Sequence, residues 1–142
     1  QVIIVGYGAI GKSIVDALKT REIPLVIAEQ NRDTVESLRA AGFAAVYGNA
    51  AEPAVLIQAH IAEAAILVIT ANNPVEIKKM VETAKTLNPD VMVLIDSKNA
   101  NDFAILSSAQ LGTVYSSEHL VSQAIVESIS VYFRDQDLNS TK

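Results

Sequence analysis

The chain has 142 residues, half of them hydrophobic and 19% charged, with eleven basic against sixteen acidic side chains and a net charge of −5. This length and apolar content imply one domain with a filled core and exclude disorder, and the acidic balance argues against a nucleic-acid binder or a basic membrane-surface protein. Cysteine is absent, which excludes disulfides, thiolate metal sites and cysteine nucleophiles, and no apolar run approaches the roughly 18 residues of a membrane span.

The chain opens Gln1-Val2-Ile3-Ile4-Val5 with no basic segment or cleavage site, so it does not read as a signal peptide. A start inside a hydrophobic run reads as a domain cut from a longer protein, in a reducing cytoplasm. Strand-like runs follow at Val2–Val5, Leu25–Ala28, Ala44–Tyr47, Ala65–Thr70, Val91–Ile95 and Thr113–Tyr115. They are continuous and not alternating, the pattern of strands buried on both faces. Between them the first helix carries Ile10, Ile14, Val15 and Leu18 on one stripe, and the second runs from an Asn31 cap to Gly42. A third begins near Pro53, a fourth at Asn73-Pro74, and a fifth lies around Phe103 and Leu106. Six strands alternating with helices predict an α/β fold: a Rossmann-like, doubly wound parallel sheet in the order 3-2-1-4-5-6. The domain spans residues 1–134, and residues 135–142 read as a frayed polar tail.

Gly6-Tyr7-Gly8-Ala9-Ile10-Gly11 is a G-x-G-x-x-G between the first strand and first helix. Gly6 permits a tight turn, Gly8 the approach of a pyrophosphate, and Gly11 close packing of helix on strand. The octet Gly6–Ser13 also satisfies G-x-x-x-x-G-K-[ST], and Asp96 at the end of the fifth strand would pass for a magnesium-holding aspartate. Four features favour the dinucleotide reading. Glu29 closes the second strand roughly 20 residues on, where a carboxylate meets ribose hydroxyls. Ile10 suits a turn in which an apolar residue tucks under the helix. Asn49 offers an amide where adenine would lie, and the chain is short for hydrolysis machinery. Glu29 would repel a 2′-phosphate, favouring NAD or AMP over NADP. Arg32 either leans over adenine, reaches phosphate or is simply solvated, and Lys12 reads as a surface residue.

Val5–Gly11, Ile23–Glu29 and Val46-Tyr47-Gly48-Asn49-Ala50 together resemble the RCK N-terminal (KTN, TrkA-N) nucleotide-binding domain, most nearly that of Kef-type monovalent cation:proton antiporters. The resemblance runs from Val2 to about Phe133. It implies a regulatory module that binds AMP, NAD(H) or another adenine nucleotide and pairs as a homodimer. Such a module controls a potassium or other monovalent cation transporter, on the same or an associated chain, at the cytoplasmic face of the inner membrane. Carried over, the cofactor contacts are Gly6, Tyr7, Gly8, Ala9, Ile10 and Gly11 of the loop, with Glu29, Gln30 and Arg32 after the second strand. Asn49 and Ala50 would face adenine, and Thr70 and Ala71 the ribose-phosphate. Two departures stand out. Many relatives have aspartate at Asn49, and many carry an arginine where this chain has Asp96-Ser97-Lys98, which tilts the ligand toward AMP.

No catalytic constellation emerges. His60 and His119 have no partners at metal-ligand spacing, no tyrosine is followed by a lysine four residues on, and Ser107-Ser108 and Ser116-Ser117 lack a nucleophile-elbow context. The reading is therefore a non-enzymatic nucleotide sensor. The alternatives are a cofactor-binding fragment of an NAD-dependent dehydrogenase and a P-loop nucleotide hydrolase. The last helix, His119 to Phe133, has apolar residues on more than one stripe. One face is expected on the sheet and the other, with Val126, Ile129 and Phe133, on a second copy or on the remainder of a longer chain.

Overall fold

Strand and helix alternate along the whole chain: β1 (Val2–Val5), α1 (Ala9–Thr20), β2 (Leu25–Glu29), α2 (Arg32–Ala40), β3 (Ala45–Tyr47), α3 (Pro53–Gln58), β4 (Ile66–Ile69), α4 (Pro74–Leu87), β5 (Met92–Ser97), α5 (Ala100–Ser108), β6 (Thr113–Ser116) and α6 (Ser117–Ser140). A short 3-10 turn, Ile61–Glu63, precedes β4. In this computed structural model, which describes residues 1–140, the strands form one parallel sheet ordered β3-β2-β1-β4-β5-β6, as the alternation predicts. Helix starts follow local chemistry. Asn31 accepts the Thr34 N–H at 3.0 Å, Asn73 that of Val75 at 2.9 Å and Asn99 that of Asp102 at 2.9 Å, capping α2, α4 and α5. Gly42, with φ +93°, turns the chain out of α2.

Two apolar layers form on the two sides of the sheet. Val2, Ile4 and Ile27 pack with Val15 of α1 and with Val35 and Leu38 of α2. Ile3, Leu67, Ile69, Val93 and Ile95 pack with Leu56 of α3, with Ile77, Met80 and Ala84 of α4, and with Leu106 of α5. The reason is handedness. The chain moves outward from β1 to β3 and then, from β4 to β6, outward the other way, so right-handed crossovers place the two sets of helices on opposite faces. Over β4, β5 and β6, the face that carries α1 and α2 therefore receives no helix among the described residues.

This corrects the expectation of strands buried on both faces. In β5, Val93, Ile95 and Ser97 are buried, whereas Met92 is exposed and Leu94 and Asp96 are half-buried. In β6, Tyr115 is 44% exposed on the bare side. The chain's end is corrected too. α6 starts at Ser117 and runs on through Ser140, so residues 135–140 are helical and not a frayed tail; residues 141 and 142 of that expected tail lie outside the described residues. Nor does α6 lay one face on the sheet: every residue from 117 to 139 is exposed.

Candidate functional site

The glycine loop joins β1 to α1, and its three glycines differ in what requires them. Gly6 has φ +94°, and a Cβ there would overlap the Thr70 hydroxyl. That hydroxyl donates to the Val5 carbonyl at 2.7 Å, tying β4 to the loop. A Cβ on Gly11 would collide with the Gly6 carbonyl oxygen. Gly8 has φ −80°, ordinary for any residue, and a Cβ on it would meet nothing within 4 Å. The protein's own packing demands two of the glycines. The third keeps open space in front of the helix.

Gly8 is also the N-cap of α1 and makes no side-chain cap bond, and no acidic residue lies in the first turn. The first N–H paired along this helix is that of Lys12, to the Gly8 carbonyl at 2.9 Å. The amides before it are the unsatisfied donors of a helix start, at the positive end of its dipole. α2, α4 and α5 satisfy theirs with asparagines; α1, like the short α3, has no side-chain cap, and an uncapped helix start is suited to an anion.

Glu29 ends β2 beside this loop. Its Oε1 accepts the Tyr7 N–H at 3.1 Å and its Oε2 the Asn31 N–H at 2.6 Å, so one carboxylate joins the loop to the start of α2. Its oxygens retain acceptor capacity for hydroxyls. With Val5, Gly6, Ala28, Gln30, Gly48, Ala50 and Ala71 it lines a cleft of about 100 Å³ at the carboxyl edge of the sheet. This is where the strand order reverses, β2 and β3 being added on one side of β1 and β4 to β6 on the other, the usual ligand crevice of open α/β sheets. The residues present fit an adenine nucleotide: amides for phosphate, a carboxylate for ribose, and room at Gly8.

The other candidates divide. Ala9 sits in the open first turn of α1, and Gln30, Ala50 and Ala71 face the cleft. Asn49 is engaged at both ends: Oδ1 accepts the Ala51 N–H at 2.9 Å and Nδ2 donates to Glu76 Oε1 at 3.3 Å. Thr70 is buried behind Gly6 with its hydroxyl committed to Val5, so Ala71 alone of that pair reaches the cleft. Arg32 is exposed, and its guanidinium lies 4.9 Å from the centre of the Tyr47 ring. Ile10 departs from expectation. It does not tuck under the helix but is 44% exposed, on the side of the bare sheet face.

Two residues outside the expected set lie against it: Tyr47 carries the Arg32 guanidinium on its ring and Glu76 accepts from Asn49. Tyr47 ends β3 and was legible as a ring at that edge of the sheet. Glu76 had no local signal, because its partner is brought to it only by the fold. The octet Gly6–Ser13 is not an open phosphate-wrapping loop, since α1 already begins at Ala9 and Lys12 is helical. Asp96 pairs with Lys98 at 2.8 Å. His119 stacks on Phe103 with ring centres 5.7 Å apart. Among the described residues, no group of three His, Cys, Asp or Glu side chains is placed to hold a metal, and no helix is long and apolar enough to cross a membrane.

Comparison with known proteins agrees with the fold. YbaL of Escherichia coli, named for cation/proton antiport, is 30% identical over 125 residues, covering 88% of this chain but 22% of YbaL. The crystal structure of the TrkA-N domain of YbaL superposes with a TM-score of 0.81 at 30% identity, covering 89% of this chain and 94% of that one. The Kef CTD of Shewanella denitrificans, in an AMP-bound form, gives 0.74 at 20% identity over 99% of this chain and 90% of that one. The GsuK channel bound to NAD gives 0.70 at 21% identity over 80% of this chain and 21% of the channel. The TrkA-N domain model matches residues 2–117, and the chain belongs to the TrkA-N domain family.

Proposed function

We propose that this chain is a non-enzymatic regulatory domain that binds AMP or NAD(H) in the cleft beside Glu29 and reports its occupancy to a monovalent cation transporter. The observation that carries the reading is Gly8, a glycine that neither backbone conformation nor internal packing requires, at the uncapped start of α1. Phosphate would sit on the α1 amides, the ribose hydroxyls would bond to Glu29, and the base would lie toward Asn49 and Ala50, near the Arg32–Tyr47 pair. The Kef CTD with AMP and the GsuK channel with NAD support this choice of ligand.

The transporter, on the same or an associated chain, and a site at the cytoplasmic face of the inner membrane follow from the likeness to YbaL. Residues 1–134 make up the nucleotide-binding domain in this reading. The exposed apolar surface of α6 supports a homodimer through that helix, larger than a soluble monomer ordinarily leaves bare. Ligand binding would act by favouring one of two dimer arrangements for which its affinities differ. Calorimetry with AMP, NAD, NADH and NADP tests the ligand: submillimolar affinity for AMP or NAD(H) with weaker binding of NADP is expected. Absence of binding to all four would overturn the reading.

A further inference from the structure

Glu76 stands in the first turn of α4, just after the Asn73 cap. An acid at this spacing from a cap commonly turns back to the backbone N–H of the cap residue. Here it is directed elsewhere. The Asn73 side chain accepts the Val75 N–H at 2.9 Å and the Glu76 N–H at 3.4 Å, so the helix start is served by the asparagine. The Glu76 carboxylate reaches the loop after β3, where its Oε1 accepts from Asn49 Nδ2 at 3.3 Å. Both residues are half-buried.

That loop is the one toward which the base is proposed to lie. Gly48 and Ala50, on either side of Asn49, line the cleft beside Glu29, as does Ala71 ahead of α4. Asn49 is held at its other end too, its Oδ1 accepting the Ala51 N–H at 2.9 Å. An amide has nearly the same shape when its oxygen and nitrogen are exchanged, so its partners fix which end is which. These two partners agree. In the exchanged orientation the NH2 group would face the Ala51 N–H, donor against donor. The oxygen would face the Glu76 carboxylate, acceptor against acceptor.

An amide bonded in this way keeps one N–H and one oxygen lone pair, the groups with which an asparagine pairs with adenine through two bonds. The lone pair takes the 6-amino group and the N–H meets a ring nitrogen. Hypoxanthine carries a carbonyl in place of that amino group, so the same amide would set oxygen against oxygen. The exchanged amide would turn an N–H to the carbonyl and suit hypoxanthine instead. We infer that Glu76 is a positioning residue for base selection: by holding the Asn49 amide in one orientation, it makes the cleft take adenine and refuse the 6-oxo base. This rests on the adenine-nucleotide site proposed above and adds the residue that sets its selectivity.

AMP and IMP isolate the effect, because they differ only at that edge of the base. Isotherms with each are measured for the wild type, Glu76→Ala, Glu76→Leu and Glu76→Gln, beside a thermal melt of every protein. The wild type is expected to bind AMP at least about tenfold more tightly than IMP, since a buried polar group is left unpaired by the wrong base. Glu76→Ala and Glu76→Leu, which offer Nδ2 no acceptor, should narrow that preference to about threefold or less. Glu76→Gln, whose Oε1 still accepts, should keep it. A merely structural role would weaken both nucleotides together and leave their ratio alone, and that result overturns the inference. A wild type that binds AMP and IMP equally, or loss of the fold in both the alanine and leucine variants, overturns it as well. A wild type that binds neither nucleotide overturns the site itself.

Discussion

The Glu29 carboxylate accepts the Tyr7 N–H at 3.1 Å, so the residue proposed to bind ribose already holds the glycine loop. The second oxygen, on the Asn31 N–H at 2.6 Å, fixes the carboxylate's orientation before any ligand arrives. Glu29→Ala therefore removes both a ligand contact and a loop brace. We expect nucleotide affinity to fall by about 1–3 kcal/mol, the scale of hydrogen bonds to a charged group. Glu29→Gln should relax the discrimination against NADP by removing the repelling charge. Calorimetry of both variants with AMP, NAD and NADP checks this; unchanged selectivity in Glu29→Gln would show that the carboxylate does not face the 2′ position.

Gly8 and Gly11 should separate binding from stability. Gly11→Ala drives a Cβ into the Gly6 carbonyl and is expected to destabilise the fold by about 1–3 kcal/mol, as overpacking does. Gly8→Ala meets open space, so it should change stability by less than about 1 kcal/mol while weakening nucleotide binding at least tenfold. Thermal melts beside binding isotherms test the pair. Tight binding by Gly8→Ala would mean that the phosphate does not approach the loop there.

Lys12 is exposed and helical, not poised over an open loop. Lys12→Ala should leave nucleotide affinity within about a factor of three, about 0.6 kcal/mol. Neither it nor the wild type should hydrolyse ATP with magnesium above background. Turnover that vanishes in the variant would restore the P-loop reading.

Asn49 donates to Glu76 at 3.3 Å, so Asn49→Asp would set two carboxylates against each other. A loss of roughly 1–4 kcal/mol is expected, the Coulomb range for such a pair between water and a protein surface. The double variant Asn49→Asp, Glu76→Gln should recover most of it. A destabilisation that the second change does not relieve would assign the cost to the Ala51 turn instead.

Ile129 is 51% exposed on α6, a helix that contributes nothing to the lining of the cleft. Ile129→Asp should give a monomer that keeps its fold and its nucleotide affinity, because the cleft is built from other elements. Sedimentation and calorimetry on the same preparation decide it; an unchanged dimer would exclude this part of the helix from the interface.

The sheet order, the helix starts at Asn31 and Asn73, the glycine loop and Glu29 were legible in the chain itself. Each rests on local chemistry or on a short spacing: a side chain capping amides two or three residues on, a turn that only glycine adopts, a crossover with one allowed hand. Tertiary structure decided the rest. The pairing of Asn49 with Glu76, the seat of Arg32 on Tyr47 and the burial of Thr70 behind Gly6 join residues distant in sequence, and no spacing encodes them. The bare half of the sheet was hidden for another reason. Apolar runs such as Val91–Ile95 look alike whether their second face is covered by this chain or awaits another. Only the placement of the described helices shows that Leu94, Tyr115 and Ile10 border a groove that no described helix covers and that Val121, Ile125, Ile129 and Phe133 of α6 stay exposed.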